Sequence, residues 1–312
     1  MSNRSVSPSS LVNTYSIAAR DAASGELGVA VQSHWFSVGS LVCWAEAGVG
    51  AVATQSVVLV DYGPLGLERM RGGQSAREAL SGMLADDEQR DVRQVGVVDA
   101  RSGVSVHTGT RCIAHAGHIA GDGFCVQANM MASDLVWPAM AQRFKETPGA
   151  LAERLLAALD AAQGVGGDVR GKQSAAMLIV GPGQLSKPWE GVRVDLRVED
   201  HPEPLVELRR LFHLHAAYQH MNQGDELLAE ERVEEALERY AEAARLAPQI
   251  AELPFWHAVT LADMDRLDEA LPLFRDVFSR DRNLATLVQR LPAAGLLKDD
   301  REMMRRILST RR

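Results

Sequence analysis

Thr14 stands where an apolar, strand-like stretch begins, and a threonine in that place can do a particular chemistry. As the first residue of a chain, its hydroxyl could attack an amide carbon while its own α-amine took the proton. An α-amine titrates at about 8, close enough to neutrality to serve as a base. Polar side chains that could assist end neighbouring strand-like segments. Ser33 and His34 close the second, Thr54 and Gln55 another, and His107, Thr108 and Gly109 a third. Gln127 and Asn129 stand two apart, on one face of a fourth. Asn129 could donate to an oxyanion. His107 could act as an acid or base on a water or on Ser33 without any processing of the chain. Taken singly, each of these also reads as a polar group satisfied at a strand end.

Two features limit this chemistry. Thirteen residues precede Thr14, so a free α-amine requires cleavage between Asn13 and Thr14. No lysine occurs before Lys145, so a lysine beside the nucleophile is missing from this region. A hydroxyl facing a wet crevice is the arrangement the chemistry needs.

Other chemistries have less support. His115 and His118 are three apart with no carboxylate at a ligating spacing, so no metal is expected. Asp168 and Arg170 lie in a glycine-rich loop, 163–171, and could bind a substrate carboxylate or pair with each other. That loop lacks the strand–loop–helix context and the Lys-Ser/Thr ending of a phosphate cradle, so no nucleotide is expected. No Gly-x-Ser-x-Gly elbow is present. No cofactor is implied.

The elements that must position these residues follow from hydropathy and turn chemistry. A chain of 312 residues allows about two domains. With 46% hydrophobic and 24% charged residues it has the composition of an ordinary globular protein. A net charge of −8 gives no support to nucleic acid or an anionic membrane as partner. No run of 18 apolar residues exists, so no membrane span is expected. Residues 1–13 read as a disordered polar tail or leader without the apolar core of a secretory signal. Cys43, Cys112 and Cys125 are too few and too far apart for a disulfide framework, which suits free thiols in a reducing cytoplasm.

Strands are expected over 15–19, 27–32, 38–43 and 49–54. Pro64 suits the opening of a helix stopped by Gly72-Gly73. Ser75 and Glu78 have the spacing of a capping box for a helix to about Leu84. The segments 92–99 and 104–107 bracket a turn, and 124–129 is a further strand. Helices follow from Ser133 to about Lys145 and over 151–161. The apolar run 174–180 suits a strand covered on both faces. The alternation over 192–198 suits a half-exposed edge strand. Sheets with segregated helix pairs indicate an α+β layered sandwich over 14–204.

After His201-Pro202-Glu203-Pro204 the chain is helical. Ala236, Tyr240 and Ala243 are matched 34 residues later by Ala270, Phe274 and Val277, the period and packing signature of tetratricopeptide repeats. Residues 205–312 therefore read as an all-α tetratricopeptide-like domain. It would serve as a groove for a protein partner, or as a stabilising or self-associating appendage. Edge strands and stacked repeats both need covering, so a homo-oligomer is expected.

From Thr14 to about Leu211 the sequence resembles the domain-of-unknown-function 1028 (DUF1028) family. The stretches that carry the resemblance are T-Y-S-I-A-A-R-D at 14–21, G-V-A-V-Q-S at 28–33 and A-G-V-G-A-V-A-T-Q at 47–55. Y-G-P-L-G-L at 62–67, Q-V-G-V-V-D at 94–99, H-T-G at 107–109 and Q-A-N-M at 127–130 follow in order. G-G-D-V-R-G-K-Q-S-A-A at 166–176 and V-D-L-R-V-E-D-H-P at 194–202 complete them. The family is grouped with the N-terminal nucleophile hydrolases. The resemblance therefore implies a four-layer αββα sandwich and places Thr14 where that superfamily has its nucleophile. It brings no settled activity. Members often end in a domain likened to peptidoglycan-binding modules, and the helical repeats stand in its place here. The function expected is hydrolysis of a small amide or peptide-like substrate. Thr14, Ser33, His107 and Asn129 would be catalytic, and His34, Thr54, Gln55, Thr108, Gln127, Asp168 and Arg170 would line the substrate site. The alternative is a non-catalytic ligand-binding or scaffolding protein of the same fold.

Overall fold

A computed structural model describes residues 11–311, which divide into two units between Arg209 and Arg210. Of the tail or leader expected over 1–13, residues 1–10 lie outside the described residues.

The first unit opens with Leu11–Val12 (β1), Thr14–Arg20 (β2) and Leu27–Ser33 (β3). The turn between β2 and β3 closes through Gly25 at φ 74°, a conformation glycine adopts without a Cβ penalty. A short helix, Gly39–Val42 (α1), then leads into Cys43–Glu46 (β4) and Gly50–Val57 (β5). The strand expected over 38–43 is thus mostly helical. The Ser40 hydroxyl donates to the Ser37 carbonyl, and the Val38 N–H donates to the Ser174 hydroxyl. Gly39 lies so close to β-structure that a Cβ there would fall 2.4 Å from the Ala176 methyl. Local hydroxyl bonds and close packing override the strand preference of the β-branched residues.

Tyr62–Arg71 (α2) carries Pro64 in its first turn, where a missing N–H costs nothing. Ala76–Asp86 (α3) has the capping box read from its sequence: Ser75 accepts from the Glu78 N–H, and the Glu78 carboxylate accepts from the Ser75 N–H. Arg93–Asp99 (β6), Val104–Thr108 (β7), Gly117–Gly121 (β8) and Phe124–Ala128 (β9) follow. Next come Val136–Glu146 (α4), Leu151–Gly164 (α5), Ser174–Val180 (β10) and Val192–Val198 (β11). Strand β8 lacks a sequence signal because glycines bracket only three other residues.

These strands make two antiparallel sheets. One has the order β1-β5-β6-β7, with β4 also beside β5; the other runs β11-β10-β3-β2-β9-β8. The sheets lie face to face over small side chains such as Ala18, Val29, Ala51, Ala53 and Cys125. Helices α2 and α3 cover the first sheet's outer face, with Leu67, Met70, Leu80 and Met83 against Val52, Val95 and Val97. Helices α4 and α5 cover the second, where Leu151 and Leu155 crowd Gly28 and Phe144 meets Phe124. The result is a four-layer αββα sandwich. Strand β11 forms an edge with only Val194 and Val198 buried.

Helix α6 (Pro204–Ala229) carries the chain into the second unit. There α7 (Val233–Leu246), α8 (Glu252–Asp263), α9 (Leu267–Arg280), α10 (Leu284–Val288) and α11 (Arg301–Ser309) pack as an all-α body. Ala236, Tyr240 and Ala243 on α7 and Ala270, Phe274 and Val277 on α9 are all buried. No helix among the described residues is long and apolar enough to cross a membrane.

Candidate active site

The candidate site forms where β2 begins. Even-numbered side chains of β2 face the opposite sheet, since Ser16 donates to Gln55 Oε1 of β5 at 2.6 Å. Thr14 shares that face and pairs across the strands with Ser33. Two groups hold the carbonyl oxygen of the preceding residue, Asn13. Ser33 Oγ donates to it at 2.6 Å and Arg170 Nη2 at 2.8 Å. Asp168, wholly buried at its side chain, fixes that guanidinium with bonds from Arg170 Nε at 3.1 Å and Nη2 at 2.7 Å. Asp168 also accepts the backbone N–H groups of His34 and Arg170.

The Thr14 hydroxyl is not in a wet crevice. Thr14 is 0% exposed, and so are Val12 and Asn13, which cover it in sequence. Its oxygen finds no hydrogen-bond partner among the described residues, nor do the Asn13 amide atoms or His34 Nδ1. Buried polar atoms are normally paired, so this group of unpaired ones is unusual for a settled core.

Beneath it a network of side-chain amides joins the sheets. Gln94 Nε2 donates to the carbonyls of Ala128 at 2.9 Å and Gly117 at 3.2 Å, and to Thr108 Oγ1. Two carbonyl partners fix the orientation of this amide. Its Oε1 must therefore accept, and it does so from Gln55 Nε2 and Asn129 Nδ2, both at 2.8 Å. Gln55 Nε2 also reaches the Thr14 carbonyl, and Gln127 Nε2 reaches Ser16 and the Ala53 carbonyl. One of the two Asn129 N–H groups is thus engaged by Gln94, and its Oδ1 finds no partner among the described residues. The donors on the Asn13 carbonyl oxygen are Ser33 and Arg170, and Asn129 is not among them.

Other expected residues do not converge on Thr14. Thr54 and His107 both pair with Val95, on the face packed against α2 and α3. Thr54 donates to the Leu59 carbonyl, and His107 Nε2 lies 2.8 Å from the Arg90 carbonyl. Thr108 does face inward, and it also meets His118 Nδ1 at 2.8 Å. Burial and the neighbouring His107 lower the His118 pKa. Asp134, distant in sequence, reaches His115 Nδ1 at 3.0 Å. The sequence reading missed Asn13, Ser16 and Gln94. Polar residues on the inward face of otherwise apolar strands were the available signal for the last two.

The family model described as "Family of unknown function (DUF1028)" matches residues 14–208. Among solved structures, the crystal structure of protein SPO2555 from Silicibacter pomeroyi, titled with the same family model, is similar. It is 28% identical with a TM-score of 0.58, over 64% of this chain and 88% of that one. No curated protein matches.

Proposed function

This chain belongs to the DUF1028 family, whose function is unknown, and on its site geometry we propose that it is an amide hydrolase of the N-terminal nucleophile type. Thr14 is the nucleophile, freed by scission of its own Asn13–Thr14 bond. The supporting observation is the Asn13 carbonyl oxygen, held by a hydroxyl and a guanidinium beside the unpartnered hydroxyl of the next residue.

While Asn13 is attached, the Thr14 nitrogen is an amide and cannot act as a base. Its hydroxyl, however, can close a five-membered ring on the Asn13 carbonyl carbon. Ser33 and Arg170 would stabilise the charge that develops on oxygen. As the C–N bond breaks, the nitrogen takes the hydroxyl proton and an ester joins Asn13 to Thr14 Oγ1. Water hydrolyses that ester, leaving a carboxylate on Asn13 and a free Thr14 amine.

In turnover the amine takes the hydroxyl proton as the oxygen attacks a substrate amide carbon. The leaving amine departs with that proton, and water releases the acyl group. The same two donors hold the substrate carbonyl. The helical unit, read as tetratricopeptide-like, would serve a protein partner or self-association.

The test is a mass spectrum of the purified chain during incubation, paired with amide turnover, for wild type and Thr14→Ala. Wild type should lose residues up to Asn13 and gain turnover, and the variant should do neither. Turnover at the wild-type rate in the variant removes Thr14 from the mechanism. An uncleaved, inert wild-type chain favours a ligand-binding or scaffolding protein.

A further inference from the structure

The segment that blocks Thr14 also shows how an acyl group could be seated there. Residues 11–12 run antiparallel to β5, with Leu11 opposite Val57 and Val12 opposite Ser56. Farther along that edge β4 pairs from Cys43 opposite Ala53 to Glu46 opposite Gly50, which leaves Thr54 and Gln55 between the two partners. Strand β1 thus covers the Ser56–Val57 end of the edge. Val12 is buried in the apolar layer between the sheets. Asn13 is buried too, yet its amide atoms find no partner among the described residues. Ser56 holds a φ of 74°, a strained value for a residue other than glycine, at the position that receives Val12.

We infer that the substrates are peptides, or peptide-like amides, whose acyl side adds to β5 as a strand in the place of residues 11–13. The inference rests on the hydrolase reading above and names its substrate class. Among the described residues the segment is held by two cross-strand pairs, the buried Val12 side chain and the bonds to the Asn13 carbonyl, and scission would let it depart and uncover the edge. An extended peptide entering there recovers the main-chain pairing, the mode in which a strand adds to an exposed sheet edge. Its scissile carbonyl takes the position of the Asn13 carbonyl, between Ser33 Oγ and Arg170 Nη2. The residue before the scissile one takes the Val12 pocket, which favours a small apolar side chain. The scissile residue itself takes the Asn13 space, which holds a side chain of that size.

The experiment uses the form beginning at Thr14, obtained by self-cleavage or by a site-specific protease. Coumarylamides of acetyl-Asn, Val-Asn and Leu-Val-Asn are compared, together with Leu-Val-Asn N-methylated on the backbone at Leu and Val. Binding of fluorescently labelled Leu-Val-Asn acid is measured alongside. Lengthening the acyl side should raise kcat/KM at least tenfold, and N-methylation should cancel that gain. Equal rates across the series overturn the strand-addition inference and leave the hydrolase reading standing. Binding of the labelled peptide, weakened by N-methylation but without turnover, supports the subsite and removes the hydrolase reading. Neither binding nor turnover overturns both.

Discussion

The Ser33 hydroxyl donates at 2.6 Å to the carbonyl oxygen of Asn13, the residue that precedes Ser33's own cross-strand partner, Thr14. The antiparallel register of β2 and β3 therefore delivers a donor to the one carbonyl that Thr14 can attack through a five-membered ring. Ser33→Ala removes this donor and leaves Arg170. Loss of one donor to a developing oxyanion costs about 100-fold or more in rate. Release of Thr14 should slow by that factor, followed by mass spectrometry over time. An unchanged rate would mean that the hydrogen bond has no part in the scission.

Gln94 is the hub of the amide network between the sheets. Gln94→Leu strips partners from the Gly117 and Ala128 carbonyls and from the N–H groups of Gln55 and Asn129. Each buried group left unpaired costs about 1–3 kcal/mol, and some will find new partners. A loss of about 3 kcal/mol or more in urea unfolding is expected. A loss under about 1 kcal/mol would show that water or neighbouring groups satisfy the layer.

The legible parts of this chain were those set by local rules. The Ser75–Glu78 capping box, the alternation along β11 and the apolar run of β10 each announce an element within a few residues. The illegible parts depend on groups far apart in sequence. Gln94 gains its meaning from Asn129 and Gln55, 35 and 39 residues away, and Arg170 meets Asn13 across 157. His107 and Thr108 are neighbours in sequence, yet the pleat sends one outward and the other into the network. A strand end shows that polar residues are present, but the sheet face on which each lies follows from register.

Stability should depend on acid through Asp87. Burial raises its pKa, but hydrogen bonds from Arg93, the Gln89 N–H and Tyr62 outweigh that and hold it below its ordinary 3.8. The folded state therefore binds fewer protons than the unfolded chain. The contribution is complete above that ordinary value and is lost as pH falls through the lowered one. Arg93 is itself buried and also holds the Val57 carbonyl. Asp87→Asn leaves a buried guanidinium without its counter-charge, a change that costs about 3 kcal/mol. Thermal unfolding should show that loss at neutral pH and a flatter profile below about pH 4. Equal acid sensitivity in the variant would shift the effect to other carboxylates.

Gly224 on α6 packs against the ring of Tyr240 on α7, where an added Cβ would come within 2.6 Å of a ring carbon. The ring is tethered, because its hydroxyl donates to Asp225 at 2.6 Å. Gly224→Ala gains about 1 kcal/mol of helix propensity. Against it stand overpacking, about 1–3 kcal/mol, and the strain on a charged hydrogen bond worth about 1.5–3 kcal/mol. The losses outweigh the gain, so the helical unit should melt earlier by circular dichroism. Tyr240→Phe releases the tether, and the period itself places a phenylalanine, Phe274, at the matching position of α9. In the double variant the ring can shift, so Gly224→Ala should cost less there than in the wild-type background. Equal costs in the two backgrounds would mean that the tether does not hold the ring over the glycine.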